Sequence, residues 1–264
     1  MATERHRFFN TAQTSTVIPQ SFADLSRKFV RQTRVYSASQ EAALSAAALW
    51  TDTFLFRVSV AVAFQPKAIA SSELLSDPTA AAAFMQDRAD FTAGSTALGM
   101  ELDIALPHWL AHMTKLNTQL SVSSFLGGDA PNILDFSTYH CCWFVYSNDV
   151  LKPELEAFPH VAHWIQNMMA FNNRTPKLIN SEAAIDIAKS SQCLPQNQLD
   201  AIVDSDLAVG DSVEVLPIDY GFQATRGELV VASPSAIVIK RHDERAGELL
   251  VHFPRLGFQV RRQE

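Results

Sequence analysis

Phe125-Leu126-Gly127-Gly128-Asp129-Ala130-Pro131-Asn132-Ile133-Leu134-Asp135-Phe136 is a turn running into a sharply started helix. Two glycines and a proline break any regular structure before it. Asn132 and Asp135 then stand three residues apart, the spacing at which each side chain can satisfy the other's free backbone amide in a capping box. From there Ile133, Phe136, His140, Trp143 and Phe144 fall on one face, so the spacing predicts a core helix. Downstream, Phe158-Pro159 to Phe171 reads as an amphipathic helix carrying Trp164 and Met168, and Ser181 to Lys189 as a short one.

Upstream, Leu102, Leu106, Trp109, Met113, Leu116 and Leu120 alternate at four and three residues, the mark of a helix packed lengthwise on another. Pro107 is expected to kink it or mark its start. Asp77-Pro78 reads as N-cap and first residue of a helix through Phe84 and Phe91 that stops near Gly94. Ser37-Ala38-Ser39-Gln40 has the form of a capping box, and Ala42 to Phe64 contains neither Gly nor Pro, so one long helix is predicted there. Six helices with no strand pattern between them indicate a bundle. After Pro195 the pattern changes to short β-rich runs, at Val213–Val215, Glu228–Val231, Ile237–Ile239, Glu248–Val251 and Phe258–Val260. The expected fold is mainly α, a helical bundle followed by a small antiparallel, barrel-like β module. Its core is expected from Val213, Leu229, Val238 and Val251, with Phe253 and Phe258 docking on the helices.

Composition narrows the function. The chain has 264 residues, 47% of them hydrophobic, and a formal net charge of -7. Nucleic-acid binding is not expected, because phosphate neutralisation needs a basic face. The charge is uneven: residues 1–36 carry six Lys/Arg against two Asp/Glu, and residues 37–210 carry eight against eighteen. No membrane span is expected, since the longest apolar stretch, Val58 to Phe64, falls far short of the ~20 residues that cross a bilayer. Three cysteines, Cys141, Cys142 and Cys193, form no disulfide framework and no C-x-x-C pair, which points to a reducing, cytoplasmic setting.

The turn and capped helix, together with Phe158-Pro159-His160-Val161-Ala162-His163-Trp164, resemble the C-terminal domain of glutathione S-transferases. The resemblance extends back through Ala48-Leu49-Trp50-Thr51-Asp52 to Phe56 and covers about residues 20–175. The family motif has Ser or Thr at the cap where Asn132 stands, and Asn also caps. The resemblance implies residues 37–204 as the helical domain, residues 1–36 as the remnant of a thioredoxin-like domain or a flexible arm, and residues 205–264 as the β module. It implies glutathione as possible co-substrate, bound at Gln20 and Ser21, and an apolar cleft at Trp50, Phe54, Val58, His140 and Trp143 for a small electrophile. It also implies a homodimer paired through Ser39–Phe64 and Asp77–Phe91. Nothing in the chain matches the family's catalytic Tyr, Ser or Cys, so no catalytic residue is assigned, and the chain is expected to be inactive by itself. A non-catalytic helical ligand-binding or assembly module is the alternative.

Each of these residues also has a plainer role. Ser21 can serve only as a helix cap, and Trp50, Phe54 and Val58 only as core. His108 and His112 have i, i+4 spacing, but no third ligand accompanies them, so no metal site is assigned. His140 could pair with one of two adjacent cysteines, against the simpler reading of small buried apolar residues. Arg27, Lys28, Arg31 and Arg34 form a basic stripe, read as a solvated face or a partner for the acidic body in preference to an anion site.

Overall fold

The computed structural model describes residues 39–72, 75, 77–171, 178–191 and 206–263. Gln20, Ser21, the basic stripe, Cys193 and the proposed 1–36 segment lie outside them. The chain divides into two compact units, Met1–Asn173 and Arg174–Glu264.

In the first unit the elements are α1 (Glu41–Trp50), a π-helical turn (Thr51–Leu55), α2 (Phe56–Ala63), α3 (Pro66–Ala70), α4 (Pro78–Thr92), α5 (Leu102–Leu120), α6 (Ile133–Tyr146), α7 (Lys152–Glu156) and α8 (Pro159–Ala170). The long helix expected from residue 42 is therefore present, but it changes winding in the middle. Its N-cap is Gln40, which makes no side-chain cap bond; Ser37 and Ala38 of the expected capping box lie outside the described residues. α4 starts as expected, with Asp77 accepting from the Thr79 amide at 3.0 Å and Pro78 in the first turn. α5 begins at Leu102 and runs through Pro107, so the proline does not mark its start.

Glu41–Ala63 is long and apolar enough, by length and composition, to cross a membrane. This corrects the expectation that no stretch reaches that length. Part of its apolar surface lies inside the bundle, where Leu55, Val58 and Val62 pack in one core with Ala105, Trp109 and Met113 of α5. Cys141, Cys142 and Val145 of α6 and Trp164 and Ile165 of α8 complete the same core.

One carboxylate ties these helices to their loop. Asp135 is 0% exposed, and its Oδ2 accepts from the Asn132 amide at 2.9 Å and the Gly127 amide at 3.0 Å. Its Oδ1 accepts from the Leu126 amide at 2.7 Å and the Trp164 indole at 2.9 Å. Asn132 Oδ1 returns the cap by accepting from the Leu134 amide at 2.9 Å. Gly127 is required by close approach, because a β-carbon there would run into the Ala130 carbonyl.

In the second unit α9 (Ser181–Ser190) packs on one sheet, built from β1 (Ser212–Pro217), β2 (Thr225–Ala232), β3 (Ala236–Asp243), β4 (Gly247–Pro254) and β5 (Phe258–Arg262). All five predicted runs are strands. Every neighbour is antiparallel, in the order β4-β3-β2-β1-β5. Among the described residues no ladder joins β4 to β5, so the sheet is open and not a closed barrel. The unit boundary at 173/174 also puts α9 with the sheet, not in a helical domain reaching residue 204.

Strand alternation corrects the expected core. Ile237 and Ile239 join Val213, Val215 and Leu229, whereas Val238, also buried, points to the other side of the pleat. Phe253 and Phe258 lie against this same core, their ring centres 5.2 Å apart. Their rings pack within the sheet unit. Glu214 faces Arg226 on one neighbouring strand and Arg261 on the other, and pairs with both, at 3.4 and 2.6 Å.

Removing the Asp135 carboxylate strands three amides and an indole in a dry interior. Asp135→Ala is expected to cost on the order of 3 kcal/mol or more, and Trp164→Phe roughly 1–2 kcal/mol. Urea unfolding midpoints of the two variants, followed by circular dichroism, measure both.

Candidate functional site

The π turn is the local irregularity from which the candidate site is built. Phe56 donates its amide to the Thr51 carbonyl, five residues back. The turn therefore holds about one residue more than an α turn, and everything after it is rotated by about 100°. Trp50 and Phe54 consequently stay on one side, stacked with ring centres 5.7 Å apart. Val58, which the spacing of four assigns to the same face, is swung into the core at 0% exposure.

Two histidines of α5 complete the aromatic face. Trp50 packs on His112 at 5.1 Å, and Phe54 meets His108 edge to face at 5.4 Å. The i, i+4 spacing of the histidines thus serves a ring ladder: the two helices run antiparallel, and each histidine meets one aromatic of the other helix. Among the described residues no three His, Cys, Asp or Glu side chains gather as a metal site. The Arg57 guanidinium lies over the Phe54 ring, 6.0 Å from its centre. Trp50 is 43% exposed and His108 is exposed, so the ladder forms a shelf open along one edge.

Burial lowers the pKa of His112 to about 4, with the nearby Lys115 charge adding to the effect. The imidazole is therefore neutral near pH 7, and its Nε2 is buried without a hydrogen-bond partner.

On the inner side of the turn stands Asp52, 8% exposed. Burial raises its pKa to about 7, and the nearby Ser137 hydroxyl opposes the shift in part. No hydrogen bond of good geometry reaches the Ser137 Oγ, which is itself buried. Cys141 lies on the same inner side, its Sγ donating to the Thr51 carbonyl at 3.7 Å. Its thiol is held well above the ordinary range by burial first, and then by Cys142 and Asp52. Burial alone pushes the Cys142 thiol to about 12. Thiols so raised carry almost no thiolate at neutral pH and are poor nucleophiles.

The remaining expected cleft residues lie elsewhere. His140 and Trp143 are exposed on α6. His140 is beside Tyr139 and Trp143 beside Phe144, and among the described residues no ring contact joins either to Trp50 or Phe54. The structure therefore brings together Trp50 and Phe54 of the expected set and separates them from Val58, His140 and Trp143. The members that sequence reasoning misses are Arg57, and His108 and His112 as ring partners of Trp50 and Phe54. Trp50 with Phe54 and His108 with His112 share one four-residue step on two helices, which is the signal the sequence holds.

The chain is similar to the crystal structure of a GST-like protein from Pseudomonas syringae, with 29% sequence identity and a TM-score of 0.73; the match covers 92% of this chain and 76% of that one. No family model matches the chain, and no curated protein matches it. The fold is GST-like.

Asp52 and His112 should leave opposite marks on stability. Between about pH 4 and 7 the folded state holds a proton on Asp52 that the unfolded chain has released, so this contribution falls as pH rises. Between about pH 4 and 6.5 the folded state keeps His112 neutral while the unfolded chain is protonated there, so this contribution grows as pH rises. The two act in opposite directions in the native protein. Asp52→Asn is expected to reveal stability rising from pH 4 to 6.5, and His112→Gln stability falling from pH 4 to 7. Urea midpoints over that range check both signs.

Proposed function

We propose that the protein is a glutathione S-transferase-like protein whose helical unit holds a small apolar electrophile on the Trp50, Phe54, His108 and His112 shelf. The observation that carries this reading is the partly exposed ring ladder, built from two helices and kept uncharged at His112. A flat apolar ligand laid there covers aromatic surface at little cost, because the rings are already stacked and lose no freedom on binding. Glutathione would supply the thiolate that attacks the held electrophile. The chain's own described thiols are unsuited to that step, since burial keeps Cys141 and Cys142 protonated. Binding of the γ-glutamyl end falls to Gln20 and Ser21 in this reading, and none of the assigned residues is the activating group.

In the same reading the protein works in the cytoplasm as a homodimer. α4 supports this, because it is fifteen residues long and buries none of them fully, while carrying Phe84, Met85 and Phe91. A helix that buries so little within its own chain is a common element of subunit contacts. Sedimentation at micromolar concentration is expected to give a dimer, and a monomer would count against pairing.

For the transferase reading, the whole chain is expected to be retained on immobilised glutathione, and assay with a generic aryl halide decides whether it turns over without an assigned activating group. Trp50→Ala should raise KM for the halide about tenfold, near 1.4 kcal/mol, through loss of stacking area. Retention without turnover would support a binding role, and absence of both would overturn the glutathione assignment.

A further inference from the structure

Resting on the shelf as the ligand seat, a second feature narrows the range of ligands. Arg57 is only partly exposed, and its Nε is buried without a hydrogen-bond partner. Its one described interaction is with the face of Phe54. Other arginines of the chain pair with carboxylates, as Arg226 and Arg261 do with Glu214 and Arg262 with Asp211. Burying part of a guanidinium beside no counter-charge carries a desolvation cost. In a chain of net charge -7 acids are plentiful, yet none of the described ones pairs with it. The π turn matters here too. It carries Phe54 and precedes Arg57 by two residues, and the guanidinium lies over the Phe54 ring.

We propose that the shelf selects aromatic ligands carrying a carboxylate, with the ring laid along Trp50 and Phe54 and the carboxylate paired to the terminal nitrogens of Arg57. The planar guanidinium presents two parallel N–H donors to such a group, and a bidentate pair of this kind is directional as well as attractive. The pair would also supply a counter-charge that none of the described residues supplies. His112 takes no part in anion binding, because it stays neutral and its Nε2 is sealed behind the shelf. His108, whose ring meets the edge of Phe54, closes the far side of the apolar seat.

Titration calorimetry of the whole chain with 2-naphthoate and with its uncharged counterpart 2-naphthamide separates the two contributions. The expected result is naphthoate binding about tenfold or more tighter than naphthamide, a difference of about 1.4 kcal/mol or more. Arg57→Met should abolish the preference, leaving naphthoate no tighter than naphthamide, and Arg57→Lys should restore part of it. Far-UV circular dichroism and thermal melts confirm that each variant is folded. If the native chain binds both probes equally, or if the preference survives in Arg57→Met, the carboxylate assignment is wrong while the apolar shelf stands. If neither probe binds the native chain, the shelf reading fails and this inference with it.

Discussion

The buried carboxylate of Asp135 is the constraint on which the helical unit depends. It receives four donors from three places: the turn at Leu126 and Gly127, the helix start at Asn132, and the indole of Trp164 on α8. A charge in a dry interior is tolerable only when its oxygens are this fully engaged. The four bonds set the direction in which α6 leaves the turn and the depth at which α8 lies against it. α6 in turn presents Cys141 and Ser137 to the inner side of the π turn, so the register of the candidate site is set from this point.

The π turn divides one long helix into two functions. Before it, Trp50 faces outward with Phe54; after it, Val58 and Val62 face the core. An uninterrupted α-helix would have placed Val58 beneath Phe54 on the same stripe. The same insertion carries Asp52 inward to face Ser137 and Cys141. Shelf and buried acid are thus two sides of a single extra residue, and the chemistry of each depends on which way it was turned: neutral rings outside, a carboxyl with a raised pKa inside.

Much of this is legible in the sequence, and the parts that are not share a physical cause. Local, hydrogen-bond-driven signals read well: Asn132 with Asp135, Asp77 with Pro78, and all five strands between their turns. The features that mislead depend on rotation or on partners distant in sequence. Val58 falls on the Phe54 face only at 3.6 residues per turn, and no residue type in Thr51–Leu55 speaks against that winding. Val238 alternates as well as Ile237 and Ile239 do, and pattern alone does not say which set faces the core. α9 reads as one more helix of the bundle until β4 shows the surface it packs against. Arg57 and the α5 histidines gain a role only when antiparallel packing sets each beside an aromatic. Gln20 and Ser21 rest on resemblance, and the described residues do not bear on them.

The Asp135 node also has a kinetic side. Its bonds to Asn132, Gly127 and Leu126 span only three to nine residues, and the bond to Trp164 spans 29. Loop closure over such distances costs little entropy and grows only slowly with length, so this set of contacts can form while more distant ones are still open. A chain emerging from the ribosome has every participant once Trp164 is clear, well ahead of Ser212 where the sheet begins. Assembly of the helical unit can therefore begin during synthesis, before any strand of the sheet has been made.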